Sequence, residues 1–131
     1  MSAPTLHDFQ QQVSELLLRH RSLLDVVTKF SQASASVNRA VAKSITECGC
    51  IELKTQSHDF SKESGFDQAL RQTAPDKQGE LCENCQDAIR SEMGKNLFYL
   101  SALCNMLDIN MEEVVAKEAQ KCATLGFFNL T

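Results

Sequence analysis

The sequence predicts an all-α fold: a single domain over residues 1–131, built as a bundle of about four helices with a long connector between the second and third. Three observations lead there. Apolar residues recur at steps of three and four through most of the chain. The chain has only 5 Gly and 2 Pro, no Trp and a single Tyr, which is poor material for the turns and aromatic strands of a sandwich or barrel. A hydrophobic fraction of 43% against 23% charged residues is enough to bury a core and excludes wholesale disorder.

The first helix runs from Leu6 to Phe30, with Phe9, Val13, Leu16, Leu17, Leu23, Leu24 and Val27 on one face. Thr5 can cap its start, with Asp8 three residues on in a box-like arrangement. The Ser/Ala-rich stretch 31–36 loosens the pattern. It resumes at Val37, Val41, Ile45, Cys48 and Ile51, a second helix reaching about Gln56. Residues 57–79 carry Gly65, Pro75 and Gly79 among many polar residues and read as the connector, with a short helical turn at 66–71. The third helix, about 81–107, stacks Ile89, Met93, Leu97, Leu100, Cys104 and Leu107 on one stripe. A tight break at Leu107–Asn110 comes next. Asn110 with Glu113 resembles a capping box that opens a fourth helix, through about Ala123, whose apolar face includes Met111, Val114, Val115, Ala119 and Cys122. The tail 126–131 is apolar enough to pack on its own chain or on a partner.

A formal charge of −4 gives no electrostatic pull toward nucleic acid or an anionic membrane. No apolar run approaches the ~18 residues of a spanning helix, and Met1–Gln10 has neither a basic start nor an apolar stretch. The expectation is a soluble, cytoplasmic protein. Four amphipathic helices offer more apolar face than one slim bundle buries, so a homodimer or higher homo-oligomer is expected, paired through the first helix and Phe127-Phe128.

Six cysteines without an export signal point to free thiols, metal ligands or small core residues. Cys48-x-Cys50 followed by Cys82-x-x-Cys85 invites a zinc site, beside the plainer reading of free thiols. Cys82 and Cys85 have good ligand spacing at a helix start and are the first candidates. Cys48 and Cys50, if the second helix is intact there, point about 200° apart and cannot both reach one ion; His58 could replace one of them. Cys104 and Cys122 are expected in the core, and His20, on the stripe of the first helix, is expected to be hydrogen-bonded or at an interface. No phosphate loop, nucleophile elbow or zincin motif occurs.

Acidic residues give a second candidate site. Glu92, Lys95 and Tyr99 share a face of the third helix, and Glu47, Cys50 and Lys54 share one on the second. Carboxylates on two packed helices are how bundles build interior metal sites, although solvated surface acids look the same in sequence. The stretch Glu92-Met93-Gly94-Lys95-Asn96-Leu97-Phe98-Tyr99-Leu100, continued by Leu103-Cys104-Asn105-Met106-Leu107-Asp108-Ile109-Asn110-Met111-Glu112-Glu113, resembles the signature of the MazG-like all-α nucleoside triphosphate pyrophosphohydrolases. Glu47-Cys48-Gly49-Cys50-Ile51 is similar to that family's earlier E-x-x-E segment.

The resemblance implies an all-α domain with a Mg²⁺ site of four carboxylates. At those positions this chain has Glu47, Cys50, Glu92 and Lys95, and Cys122 follows Lys121 where the family commonly has Asn. Thiol and ammonium are poor partners for Mg²⁺. The resemblance with these substitutions implies a protein with lost or weakened Mg²⁺-dependent hydrolysis, acting as a nucleotide-sensing or protein-interaction module. Two alternatives stand beside it. One is an active pyrophosphohydrolase with a rearranged Mg²⁺ site on Glu47 and Glu92; the other is a small zinc- or thiol-based regulatory protein.

Overall fold

The computed structural model describes residues 3–17, 22–54 and 77–125. In chain order these form α1 (Leu6–Leu16), α2 (Leu23–Lys43), a π-helical turn (Ser44–Cys48), β1 (Ile51–Leu53), β2 (Lys77–Gly79), α3 (Glu83–Met106) and α4 (Met111–Leu125). The protein is an all-α helical bundle with, among the described residues, one small sheet, and a long connector separates its second and third helices. The connector turn expected at 66–71, His20, His58 and the tail 126–131 lie outside the described residues.

The boundaries of the first two helices differ from the sequence expectation. α1 ends at Leu16, and α2 runs without a break through the Ser/Ala stretch that was expected to interrupt it. Small polar residues do not break a helix whose own carbonyls satisfy them: the Ser34 hydroxyl donates to Phe30 O at 3.1 Å. The second helix also stops early. Its last turn widens to π geometry and Gly49 closes it at φ 77°, its N–H donating to Ser44 O at 3.0 Å. A left-handed residue past the last turn suits Gly, which has no Cβ to clash.

The chain divides into two compact units, Met1–Ser36 with Glu92–Thr131, and Val37–Ser91. In the first unit Val13, Val26 and Ala102 form the buried core, with Phe9, Leu17, Phe98 and Leu103 packed around it. The Thr5–Asp8 capping box forms as expected. Gln10 ties α1 to the start of α4: its Nε2 donates to Ile109 O at 2.7 Å and its Oε1 accepts from the Met111 N–H at 2.9 Å. The expected break after α3 is a Schellman turn. Asp108 takes φ 56°, and the Ile109 N–H reaches back to Cys104 O at 2.8 Å. Asn110 caps α4 by accepting from the Glu112 N–H at 2.8 Å.

On α3 the expected stripe is buried only at Ile89 and Cys104; Met93, Leu97, Leu100 and Leu107 are exposed. Ser101 and Ala102 turn inward instead, both fully buried.

In the second unit, β1 and β2 pair antiparallel with Ile51 opposite Gly79, Glu52 opposite Gln78 and Leu53 opposite Lys77. Three paired residues are marginal for an isolated hairpin. Among the described residues of this unit, the buried apolar ones are Ile51 and Ile89. Among the described residues no helix is long and apolar enough to cross a membrane.

Candidate metal centre

The hairpin joins two cysteine pairs. Cys48 ends the π turn, Cys50 precedes β1, Cys82 stands just before α3 and Cys85 lies in its first turn. The sulfurs of Cys48, Cys50, Cys82 and Cys85 all lie within 4.8 Å of one another. The expectation that Cys48 and Cys50 diverge is corrected here. It required a helix through residue 50, whereas Gly49 ends the helix between the two thiols and lets both turn toward the same point.

The backbone around the site is specific. Gly79, at φ 89°, has no room for a side chain, because a Cβ there would lie 2.5 Å from Cys50 O. The absent side chain lets the backbone at Cys50, just before β1, lie directly against the strand that leads to Cys82. Cys50 is tied down further by its thiol, which donates to Ser44 O at 3.7 Å.

Cys82 acts as a sulfur N-cap. Its carbonyl accepts the Gln86 N–H at 2.9 Å, and its Sγ accepts the Cys85 N–H at 3.4 Å, the bond a Ser or Asp cap would make. That N–H, with the neighbouring Cys85 and Cys48 thiols also donating, brings the Cys82 thiol down to about 7. The positive end of the helix favours the same ionisation. Its neighbours move the other way: as donor to Cys82, and then through burial, Cys85 is pushed up to about 12, and Cys48 is raised chiefly by the same partner. In the metal-free cluster Cys82 is thus ionised more readily than Cys48 and Cys85.

The donor set fits a single thiophilic ion. Four sulfurs at a Zn–S distance of about 2.3 Å define a tetrahedron with edges of about 3.8 Å. The Cys48–Cys82 separation is 3.7 Å, and the remaining pairs need to contract by about 1 Å at most. Four thiolates close the coordination shell, which is the mark of a structural site rather than one that holds substrate or water. Sulfur ligands select zinc and similar soft ions and reject Mg²⁺. Among the described residues no other group of three or more His, Cys, Asp or Glu is placed to hold an ion.

The carboxylate candidates are placed differently. Glu47 is exposed in the π turn, Cys50 lies beyond the helix and Lys54 follows β1, so the expected shared helical face of Glu47, Cys50 and Lys54 does not form. Glu92 is half-buried on α3, with Lys95 Nζ at 3.5 Å from its Oε1. Tyr99, one turn on, packs edge-on against Phe98 with ring centroids 5.2 Å apart. Of the two cysteines outside the cluster, Cys104 is buried as expected and burial raises its thiol, but Cys122 is exposed, correcting the expectation that it is core. The face of α4 beyond Met111 is open along its length, so its apolar spacing there is not matched by burial.

Comparison of the chain with protein-family models, with curated proteins and with solved structures gives no match.

Proposed function

We propose that this protein is a zinc-binding helical module in which Cys48, Cys50, Cys82 and Cys85 hold one structural Zn²⁺, and that it works by presenting a metal-fixed surface rather than by catalysis. The convergence of four sulfurs within 4.8 Å carries the reading. The energetics support it. The hairpin has three residue pairs, marginal on their own. Among the described residues of that unit, Ile51 and Ile89 are the buried apolar side chains. A structural Zn²⁺ contributes on the order of 10 kcal/mol of binding free energy, ample to hold π turn, hairpin and helix start together. The positive end of α3 offsets part of the net charge of −2 that four thiolates leave around the ion.

The test is the metal content of purified full-length protein, with Cys82→Ser/Cys85→Ser alongside. One zinc per chain in the wild type and none in the variant is expected. A wild type that takes up no zinc when reduced and incubated with Zn²⁺ would overturn the proposal.

A second reading has one observation in its favour. The ion pair of Lys95 with Glu92 places an ammonium beside a carboxylate of the MazG-like pattern. This suits a protein of that kind with weakened Mg²⁺-dependent hydrolysis, retaining nucleotide recognition. Magnesium-dependent pyrophosphate release from nucleoside triphosphates, lost on Glu92→Gln, would establish residual activity.

A further inference from the structure

The same four sulfurs differ in access, and that difference assigns a chemistry to them. We propose that Cys48 and Cys82 form an oxidation site: hydrogen peroxide converts them to a disulfide, and closing that bond ejects the metal. The proposal rests on the zinc reading for its consequence, but its covalent step rests only on the geometry of the two thiols.

Cys48 is exposed, whereas Cys50, Cys82 and Cys85 are half-buried. With all four sulfurs held as thiolates by one ion, ionisation no longer separates them and access does, so peroxide meets Cys48 first. Cys82 Sγ is 3.7 Å from Cys48 Sγ. Forming an S–S bond of about 2.05 Å needs a closure of about 1.7 Å, within the reach of two side-chain rotations. Cys48 is also at the end of a π turn followed by a left-handed Gly49, at the margin of the hairpin rather than inside its ladder.

The step balances without further reagents. Cys48 Sγ attacks one oxygen of the peroxide, the O–O bond breaks, and the sulfur becomes a sulfenic acid. The departing hydroxide takes a proton to become water. Cys82 Sγ then attacks Cys48 Sγ; the S–S bond forms and the second hydroxide leaves, also to become water. Two thiolates lose two electrons in all, one peroxide becomes two waters, and two protons are consumed. The ion is left with Cys50 and Cys85, half a coordination shell, and is released as those sulfurs take up protons.

The experiment treats zinc-loaded full-length protein with hydrogen peroxide, following released zinc with a chromogenic chelator and the protein by intact mass. The expected result is one zinc released per chain that becomes lighter by two hydrogen atoms. Trypsin leaves Cys48 and Cys50 together on residues 44–54, and Cys82 and Cys85 together on residues 78–90, so fragmentation of the cross-linked pair locates the bond. A Cys48–Cys82 bond is expected. Cys48→Ser should abolish the cross-link between residues 44–54 and 78–90, while Cys122→Ser leaves it unchanged.

A bond between Cys82 and Cys85, one engaging Cys122, or zinc loss with only sulfinic acid formed would overturn the proposal. The metal-free protein receives the same mapping. If the protein never binds zinc, the structural-zinc reading fails, and the location of the bond still decides the oxidation site.

Discussion

Gly79→Ala should cripple metal binding while sparing the helices. The position fails an alanine on two counts. Its φ of 89° is a conformation that costs an L-residue roughly 1–2 kcal/mol. The added Cβ would meet Cys50 O at 2.5 Å, and since that atom is backbone, relief requires the strands to part at a cost of about 1–3 kcal/mol. Parting β2 from β1 moves Cys50 away from Cys82, so the strain falls on the metal-bound state. A combined loss of about 2–5 kcal/mol is roughly a 30- to 5,000-fold fall in apparent zinc affinity. The assay is competition for Zn²⁺ against a chromogenic chelator, with far-UV circular dichroism as a check on the helices. Gln78→Ala, a neighbouring exposed strand residue, serves as control and should bind like the wild type. Unchanged affinity in Gly79→Ala would refute the claim that this close approach aligns the two cysteine pairs.

Gly94→Ala should raise stability by about 0.5–1 kcal/mol, because Gly94 lies within α3 and a Cβ there meets nothing within 4 Å; a lowered melting temperature would contradict this. In the metal-free protein, iodoacetamide should label Cys82 first. Its pKa is lowered to about 7 from 9.0, so its thiolate is abundant above pH 7 and its labelling fades as the pH falls through 7. The raised Cys48 and Cys85 thiols should lag, and labelling of Cys82 that begins only near pH 9 would count against the N-cap bond. Acidification should release bound zinc as protons compete for the thiolates, visible as chelator colour appearing with falling pH. Finally, we propose self-association of this chain, supported by exposed apolar residues such as Leu16 and Leu24, each about three-quarters exposed. Light scattering should give a mass above 14.6 kDa at micromolar concentration, and a monomer would refute it.

Much of the helical framework was legible because period and caps agree: the Thr5–Asp8 box and the Leu107–Asn110 break fall where the sequence places them. What escaped was governed by single backbone conformations. The break near residue 31 and the extension of the second helix to residue 56 are what apolar spacing implies, yet spacing does not register that Ser34 is satisfied within its helix or that Gly49 adopts φ 77°. The same glycine explains why the metal centre was half visible. Cys82 and Cys85 could be named from their spacing, whereas adding Cys48 and Cys50 required knowing that the helix ends between them. A Gly between two cysteines was the available signal. The pairing of β1 with β2 could not be read, because Ile51–Leu53 and Lys77–Gly79 are too short to show an alternating pattern. On α3 the apolar stripe pointed to Met93 and Leu97 as core, but both are exposed and the small Ser101 and Ala102 are buried.

X-ray absorption at the zinc edge on the reduced, zinc-loaded full-length protein would decide whether the four thiols act as one site. A first shell of four sulfurs at about 2.3 Å, with one zinc per chain, is the expected spectrum. A shell containing nitrogen or oxygen, or a protein that retains no zinc after gel filtration, would contradict a tetrathiolate centre built from Cys48, Cys50, Cys82 and Cys85.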